Sequence, residues 1–331
     1  MKQKLTVIMY HFVRELPETR YPEIKGLLLS EFKQQLTYLK RHYTFVDIPD
    51  CINTLHNNYD LPSNACLLTF DDGYIDHFDN VFPLLKKNNI QGCFFPPAKA
   101  ILAEEVLDVN KIHFILATMS KNIDKLISDV YSELDRFRSN YNLKSNEYYY
   151  SKLAINNRFD TGEIIFIKRL LQVELEEELR RVIVDKLFKK YVTKDERSFS
   201  RELYMDIDQI KFMAENNMYI GSHGYNHYWL DKMNQAKQRT EVRKSIRFLK
   251  RVNSSTKNWV MCYPYGAYNQ SLIEILKKEG CALGFTSKVD FANISKENAY
   301  TLPRFDTNDF PPQNWRIKGL MQKRENGEDF G

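Results

Sequence analysis

Two carboxylates follow an apolar run in the segment ACLLTFDDGY, where Asp71 and Asp72 stand directly before Gly73. In α/β proteins catalytic groups lie at the carboxyl ends of parallel strands, so an active site is expected at such a position. Two adjacent acids can have different roles, because a cation that binds one of them lowers its pKa and leaves the other available as a base. An ordinary Asp-Gly turn is an equally good interpretation of this segment alone.

Two histidines, His223 and His227, follow another apolar run in the segment MYIGSHGYNH. Imidazoles four residues apart can bind one cation, and Gly221 and Gly224 favour a loop around them. Together with one carboxylate they make a three-ligand site with open positions, as catalytic metals require. Such a cation polarises a carbonyl group and lowers the pKa of bound water towards about 7. The residues therefore predict hydrolysis of an amide or ester, with zinc as the default cation and cobalt, nickel or iron as alternatives.

Two further segments are candidates to complete the site. In WVMCYPYGAYN, Pro264 and Gly266 fix a tight bend, and a main-chain N–H there can stabilise an oxyanion by roughly 3–4 kcal/mol. His11 ends the run VIMYH and has a side chain that titrates near working pH, so it can protonate a leaving amine. Each segment has a plain alternative, namely a turn packed on the core and a structural histidine.

The elements that would position these residues alternate between short apolar runs and helical patterns. LTVIMYHF, for example, precedes a helix SEFKQQLTYLKRHY that we expect Ser30 to cap. Such βαβ alternation predicts a parallel sheet or barrel. Between residues 101 and 205 the pattern becomes helical, with one glycine and no proline. We therefore predict a split barrel, residues 1–100 and 206–331, and a helical insertion, residues 101–205, that acts as a lid or as an interface between copies.

The composition limits the classes of protein. With 43% hydrophobic and 27% charged residues the chain is globular, and a net charge of +5 spread over the sequence is no nucleic-acid footprint. The five cysteines are scattered without a CxxC pair, which argues against a disulfide framework and a thiolate zinc site. The start, MKQKLTVIMYHFV, is too short and polar for a signal sequence. We expect a cytoplasmic protein, located at the inner face of the membrane if its substrate is lipid-linked.

The segments TFDDGY, HGYNH and YPYG, in this order after apolar runs, resemble the polysaccharide deacetylases of carbohydrate esterase family 4, the NodB-homology fold. The resemblance covers roughly residues 1–100 and 206–310. It implies a distorted (β/α)7 barrel that hydrolyses N-acetyl, and sometimes O-acetyl, groups on sugars.

The resemblance also implies roles for individual residues. These are Asp71 as the base, Asp72, His223 and His227 as the metal ligands, and Tyr265 as the backbone oxyanion donor. Gly224 departs from the family, which often has Ser or Thr at this position. The loop therefore loses one side-chain hydrogen bond, and the ligands should still reach the metal.

Two other departures enlarge the predicted site. Cys262 stands where the family usually has an arginine, and Arg304 in LPRFD is our candidate to orient Asp71 instead. No histidine follows His227, although many family members carry their acid histidine near the end of the barrel. The opening MYHF resembles the biofilm poly-N-acetylglucosamine deacetylases, whose barrel is circularly permuted, so His11 would take the place of the acid.

The leading prediction is a metal-dependent deacetylase that removes the N-acetyl group of an amino sugar in surface polysaccharide or glycolipid synthesis. Its sugar would be free, nucleotide-linked or lipid-linked, and the insertion would provide peripheral membrane association or a homo-oligomer interface. A deformylase or an O-acetyl esterase could use the same site. A catalytically dead carbohydrate-binding or scaffold protein is the alternative from a different class, and nucleic acid is not an expected partner.

Overall fold

The computed structural model describes residues 4–56 and 58–325, without the side chains of residues 321–325. The chain divides into two compact units. The barrel unit contains the residues up to Glu15, Gly26–Glu104 and the residues from Arg201 onward, and the helical unit contains Leu16–Lys25 and Glu105–Ser200.

The structure places the segment Leu16–Lys25 in the helical unit, whereas the predicted division had placed it in the barrel. The ring of Tyr21 packs edge-on against Phe114 and Phe199, and Lys25 pairs with Asp160. All these partners lie far along the chain in the helical unit, so no local sequence pattern could assign the segment to it.

The strands of the described residues are short. They are β1 (Lys4–Tyr10), β2 (Thr44–Phe45), β3 (Ala65–Asp71), β4 (Gly92–Phe95), β5 (Tyr219–Ile220), β6 (Trp259–Cys262), β7 (Cys281–Phe285), β8 (Ala292–Asn293) and β9 (Phe305–Asp306). All seven residues of β3 are buried. This agrees with its continuous apolar sequence, because a parallel strand covered on both faces shows no alternation.

Seven parallel segments close a ring. Strands β9, β1, β3, β4 and β5 lie side by side in parallel. A bridge between Ser222 and Met261 continues the ring from the end of β5 to β6, which pairs with β7. A second bridge, between Phe285 and Leu302, leads back towards β9. The predicted α/β fold, a distorted (β/α)7 barrel, is confirmed. Outside the ring, β2 pairs with the first residues of β3, and β8 pairs antiparallel with the first residues of β1.

The helices of the barrel unit are α1 (Leu29–His42), α2 (Ile48–Leu55), α3 (Phe82–Lys87) and α4 (Ala98–Ala103) before the insertion, and α11 (Ile207–Glu215), α12 (Gln235–Arg251), α13 (Gln270–Lys278) and α14 (Arg316–Glu325) after it. Between them lie α5 (Asp108–Thr118), α6 (Ile123–Tyr141), α7 (Asn146–Leu153), α8 (Gly162–Arg169), α9 (Glu177–Tyr191) and α10 (Glu196–Leu203). The region between residues 101 and 205 is therefore helical, in agreement with its sequence pattern.

One helix start differs from its prediction, and a second helix starts irregularly. Ser30 is not the N-cap of α1: the helix begins at Leu29, and the N–H of Leu28 donates to the Glu31 carboxylate at 3.1 Å. The helix after TFDDGY opens with a π-helical turn, His77–Val81, before α3. Pro83, which has no N–H to donate, follows this turn, and such turns are frequent at functional sites.

Two features of the chain bear on membrane association. Among the described residues, no helix is both long and apolar enough to cross a membrane. On the helical unit, which the sequence analysis offered as a membrane-associating insertion, Lys168 pairs with Asp160 and Lys190 pairs with Asp129. These pairs reduce the positive charge available to anionic lipid.

Candidate active site

Asp71 is the last residue of β3 and lies at the centre of a buried polar cluster. Two nitrogens of the Arg304 guanidinium, Nη1 and Nη2, donate to its two carboxylate oxygens at 3.0 and 2.8 Å. Burial by itself raises the pKa of Asp71, but the charge and hydrogen bonds of Arg304, together with the nearby imidazoles of His223 and His11, hold the pKa well below its ordinary value. Asp71 is therefore an ionised carboxylate although it is buried.

Arg304 is held in place by contacts other than Asp71. Its Nε donates to the carbonyl of Thr286 at 2.9 Å, and its Nη1 also donates to Oγ1 of Thr69 at 3.1 Å. The thiol of Cys262 donates to Asp71 Oδ1 at 3.3 Å. The structure thus brings Arg304 to the carboxylate that the sequence argument expected it to orient, and places Cys262 beside the same oxygen.

Asp72, His223 and His227 converge at the same end of the ring. The distance from Asp72 Oδ1 to His223 Nε2 is 3.5 Å and to His227 Nε2 is 3.2 Å. Ligand atoms of a tetrahedral zinc with bonds of ~2.0–2.1 Å lie about 3.3 Å apart, so the three donors have the spacing of a metal site. Asp72, which directly follows β3, has a positive φ of 72°.

The protonation of these groups also fits a cation. Nδ1 of His223 lies 2.8 Å from the carbonyl of Cys262, to which it donates, and this leaves Nε2 as a lone-pair donor. Burial lowers the pKa of His223 to about 4, so the imidazole is neutral near pH 7. The hydroxyl of Tyr74 donates to Asp72 Oδ2 at 2.6 Å, whereas the buried Oδ1 accepts no hydrogen bond. A divalent cation would satisfy this oxygen.

The loop that carries His227 is fixed by Glu241, which sequence reasoning missed. The buried Glu241 carboxylate accepts from the N–H groups of Tyr225 and Asn226 at 3.2 and 2.9 Å and from the Asn226 amide. Burial raises the pKa of Glu241. The signal in the sequence was weak, because Glu241 is distinctive only as the one acidic residue of the basic helix α12.

Gly224 adopts a φ of 73°, a conformation that disfavours Ser and Thr. Its N–H donates to Oγ of Ser222 at 3.2 Å, so a hydroxyl from two residues earlier bonds within this loop. The departure from the family pattern therefore has a local backbone cause.

The bend at Pro264–Gly266 lies beside His227, a candidate metal ligand. Tyr265 has a φ of 58°, its ring packs edge-on against His227 at 4.9 Å, and it stacks on Trp229 at 4.6 Å. The ring of the residue predicted to supply the oxyanion donor, Tyr265, thus contacts a candidate metal ligand.

His11 follows β1, and its backbone segment is held by the helical turn after TFDDGY. Nε2 of His77 donates to the carbonyl of His11 at 2.9 Å. Asp76 Oδ2 accepts from the N–H of Val13 at 3.1 Å, and the Asn80 amide donates to the Val13 carbonyl at 2.7 Å. We call Asp76, His77 and Asn80 the histidine clamp. The imidazole of His11 is near enough to Asp71 and Asp72 to contribute to their lowered pKa values.

The fold and this cluster define a class, an α/β barrel with a candidate metal centre beside an ionised carboxylate. Comparison with known proteins gives the family: residues 58–127 and 186–284, about half of the chain, match the family model described as polysaccharide deacetylase. The chain belongs to the polysaccharide deacetylase family. The matched ranges include the two acids, the two histidines and Tyr265, whereas His11 and Arg304 lie outside them.

One relative by sequence is YxkH of Bacillus subtilis (strain 168), which carries a polysaccharide deacetylase name. It is 29% identical over 99 residues, 30% of this chain. The match spans 33% of the length of YxkH.

Solved structures show the same fold at low identity. The deacetylase PplD of Streptococcus pyogenes, in complex with acetate, has a TM-score of 0.58 at 17% identity and covers 97% of this chain and 99% of its own. IcaB from Ammonifex degensii has a TM-score of 0.55 at 20% identity, with 97% of both chains covered. A de-N-acetylase from Aggregatibacter actinomycetemcomitans has a TM-score of 0.55 at 15% identity, and covers 96% of this chain and 100% of its own.

Proposed function

We propose that the protein is a metal-dependent deacetylase that hydrolyses the N-acetyl group of an amino sugar. The observation that carries this proposal is that the two adjacent acids, Asp71 and Asp72, have different partners. Oδ1 of Asp72 faces two imidazole nitrogens at metal-ligand spacing, while Asp71 is ionised and oriented by Arg304. A structural metal would need no such second carboxylate.

Asp72, His223 and His227 would hold the cation. A bound divalent metal polarises the acyl carbonyl and acidifies a water molecule. Asp71 then accepts the proton of the attacking water, and Arg304 keeps its carboxylate ionised and oriented.

Two residues complete the proposed reaction. The main-chain N–H of Tyr265 donates to the oxyanion of the tetrahedral intermediate. His11, held by the histidine clamp, donates a proton to the amine that leaves, because an amide nitrogen departs only when it is protonated.

The surroundings of the site support a sugar substrate. Trp229 and Tyr265 form a stacked pair beside His227, and both rings are partly exposed. Flat aromatic faces next to polar groups suit a sugar ring, which has apolar C–H faces and polar edges. The names of two similar structures, a deacetylase in complex with acetate and a de-N-acetylase, support the proposal that the acyl group removed is an acetyl group.

The setting we propose is surface polysaccharide or glycolipid synthesis in the cytoplasm. Zinc is the cation that we propose first, since imidazole and carboxylate donors suit it well.

The test is a screen for acyl release with N-acetyl, N-formyl and O-acetyl amino sugars, before chelation, after chelation and after zinc is returned. We expect acetate from N-acetyl sugars, loss with chelator and recovery with zinc. Formate in place of acetate would identify a deformylase, and acetate from the O-acetyl sugars alone would identify an esterase. A purified protein with no bound metal, no response to added metal and no acyl release would favour the dead carbohydrate-binding alternative.

A further inference from the structure

Tyr74 is the last residue of the segment TFDDGY, and its side chain is almost completely buried, with 1% of the residue exposed. The phenol hydroxyl donates to Oδ2 of Asp72 at 2.6 Å. A hydroxyl that donates to an ionised carboxylate makes a shorter and stronger hydrogen bond than one between neutral groups. Tyr74 is therefore bound directly to a candidate metal ligand.

The backbone between these two residues is sharply bent. Asp72 and Gly73 both have a positive φ, 72° and 67°. Residue 73 has no room for a side chain, because a Cβ there would lie 2.7 Å from Cβ of Pro96. The bend lets the side chain of Tyr74 reach a carboxylate only two residues earlier in the chain.

Two aromatic rings and a neighbouring backbone segment hold Tyr74 in place. Its ring stacks on Phe12, with the centroids 3.8 Å apart, and lies parallel to the ring of Tyr204 at 6.1 Å. Tyr204 also forms an antiparallel backbone bridge with Tyr74, and the N–H of Met205 donates to the Gly73 carbonyl at 3.0 Å. Contacts to both the ring and the backbone thus fix the position of the hydroxyl.

The hydroxyl gives the two oxygens of Asp72 different partners. Oδ2 accepts from Tyr74, whereas Oδ1 lies 3.5 Å from Nε2 of His223 and 3.2 Å from Nε2 of His227. The last side-chain torsion of an aspartate has a broad energy minimum, so a carboxylate without this bond could turn either oxygen towards a cation. The hydrogen bond selects one orientation before the cation binds.

We propose that Tyr74 is a positioning residue of the metal centre, which holds the Asp72 carboxylate so that Oδ1 faces the two histidines. The proposal rests on the proposed function, because the cation belongs to that function. It assigns a role to a residue of TFDDGY that is neither the base nor a ligand.

Zinc affinity, measured by calorimetric titration of metal-free protein, tests this role. Tyr74→Phe removes the hydroxyl and keeps the ring, and it should weaken zinc binding about tenfold, because the partners of metal ligands commonly contribute ten- to a hundredfold. Tyr300→Phe is the matched control. It removes a tyrosine hydroxyl of the same unit, one that donates at 2.9 Å to the carbonyl of Cys281 at the start of β7. Its zinc affinity should stay within about twofold of the wild type.

The visible absorption spectrum of the Co²⁺-loaded protein separates positioning from a general loosening of the barrel unit. Imidazole and carboxylate donors accept Co²⁺ as well as zinc, and the spectrum depends on how the donor atoms are arranged around the ion. Tyr74→Phe should change the shape of the absorption bands. Tyr300→Phe should reproduce the wild-type bands.

The outcomes distinguish failure of this role from failure of the proposed function, since neither measurement requires acetate release. A zinc affinity of Tyr74→Phe within about twofold of the wild type, Co²⁺ spectra that superimpose, or an equal loss of affinity in Tyr300→Phe would overturn the role of Tyr74 alone. A wild-type protein that binds neither zinc nor Co²⁺ would overturn the proposed function, and the role of Tyr74 with it.

Discussion

The pair of Arg304 and Asp71 predicts a large and specific loss of stability. Both side chains are buried, 2% and 1% exposed by residue, and the guanidinium makes two hydrogen bonds to the carboxylate. Removing one partner of a buried ion pair leaves an uncompensated charge and costs about 3–5 kcal/mol. Arg304→Met should therefore lower the free energy of unfolding of the barrel unit by about this amount.

The second variant separates charge from packing. In Arg304→Met with Asp71→Asn neither charge of the pair remains. The double variant should therefore lose less stability than the sum of the two single losses, by about 1–3 kcal/mol. The bonds from Arg304 to Thr286 and Thr69 are lost in both backgrounds and cancel in the cycle. Lys288→Met, the loss of a basic residue whose side chain is 76% exposed, is the control and should change stability by less than about 0.5 kcal/mol.

Tryptophan fluorescence during urea unfolding measures these changes. All three tryptophans, Trp229, Trp259 and Trp315, lie in the barrel unit, so the signal reports on the unit that contains the pair. A coupling below about 0.5 kcal/mol in the cycle would refute the conclusion that Arg304 stabilises an ionised Asp71.

Three further predictions follow from single contacts. His77→Phe removes the donor to the His11 carbonyl and keeps an aromatic ring. It should slow acetate release from N-acetyl sugars but not hydrolysis of an activated phenyl ester, whose leaving group needs no proton. Equal losses of rate in the two assays would contradict the conclusion that the histidine clamp positions His11 as the acid. Glu241→Gln should weaken zinc affinity about tenfold in calorimetric titration, because the loop of the second histidine loses part of its support; unchanged affinity would contradict this. Gly266→Ala should lower the free energy of unfolding by at least about 1 kcal/mol, since its φ is +68° and a Cβ would lie 2.7 Å from a backbone nitrogen. Gly319→Ala, where a Cβ meets nothing within 4 Å, is its control, and an equal effect of the two would contradict the steric argument.

The parts of the fold that local patterns encode were predictable. The apolar run that the sequence shows before the two acids forms β3, which ends at the first of them, Asp71. The barrel class followed from the alternation of such runs. Closure of the ring was not predictable in detail, because it depends on single bridges such as those at Ser222 and Leu302 rather than on long strands.

The candidate site shows the same limit. Adjacent acids and closely spaced histidines can be recognised in the sequence, and the position of Arg304 near a strand end was enough to suggest a contact with Asp71. Glu241 and the histidine clamp were missed because their contacts are made to backbone groups of other elements, which leave no motif. The wrong N-cap at Ser30 has a similar origin, since the Glu31 carboxylate accepts from the N–H of Leu28 instead.

The most direct test of the account measures bound metal and acetate release on the same samples of the wild type, Asp71→Asn and Asp72→Asn. The account predicts one equivalent of metal and acetate release in the wild type, metal without acetate release in Asp71→Asn, and the loss of both in Asp72→Asn. Retention of the metal in Asp72→Asn, or acetate release at the wild-type rate in Asp71→Asn, would contradict the division of roles between the two acids.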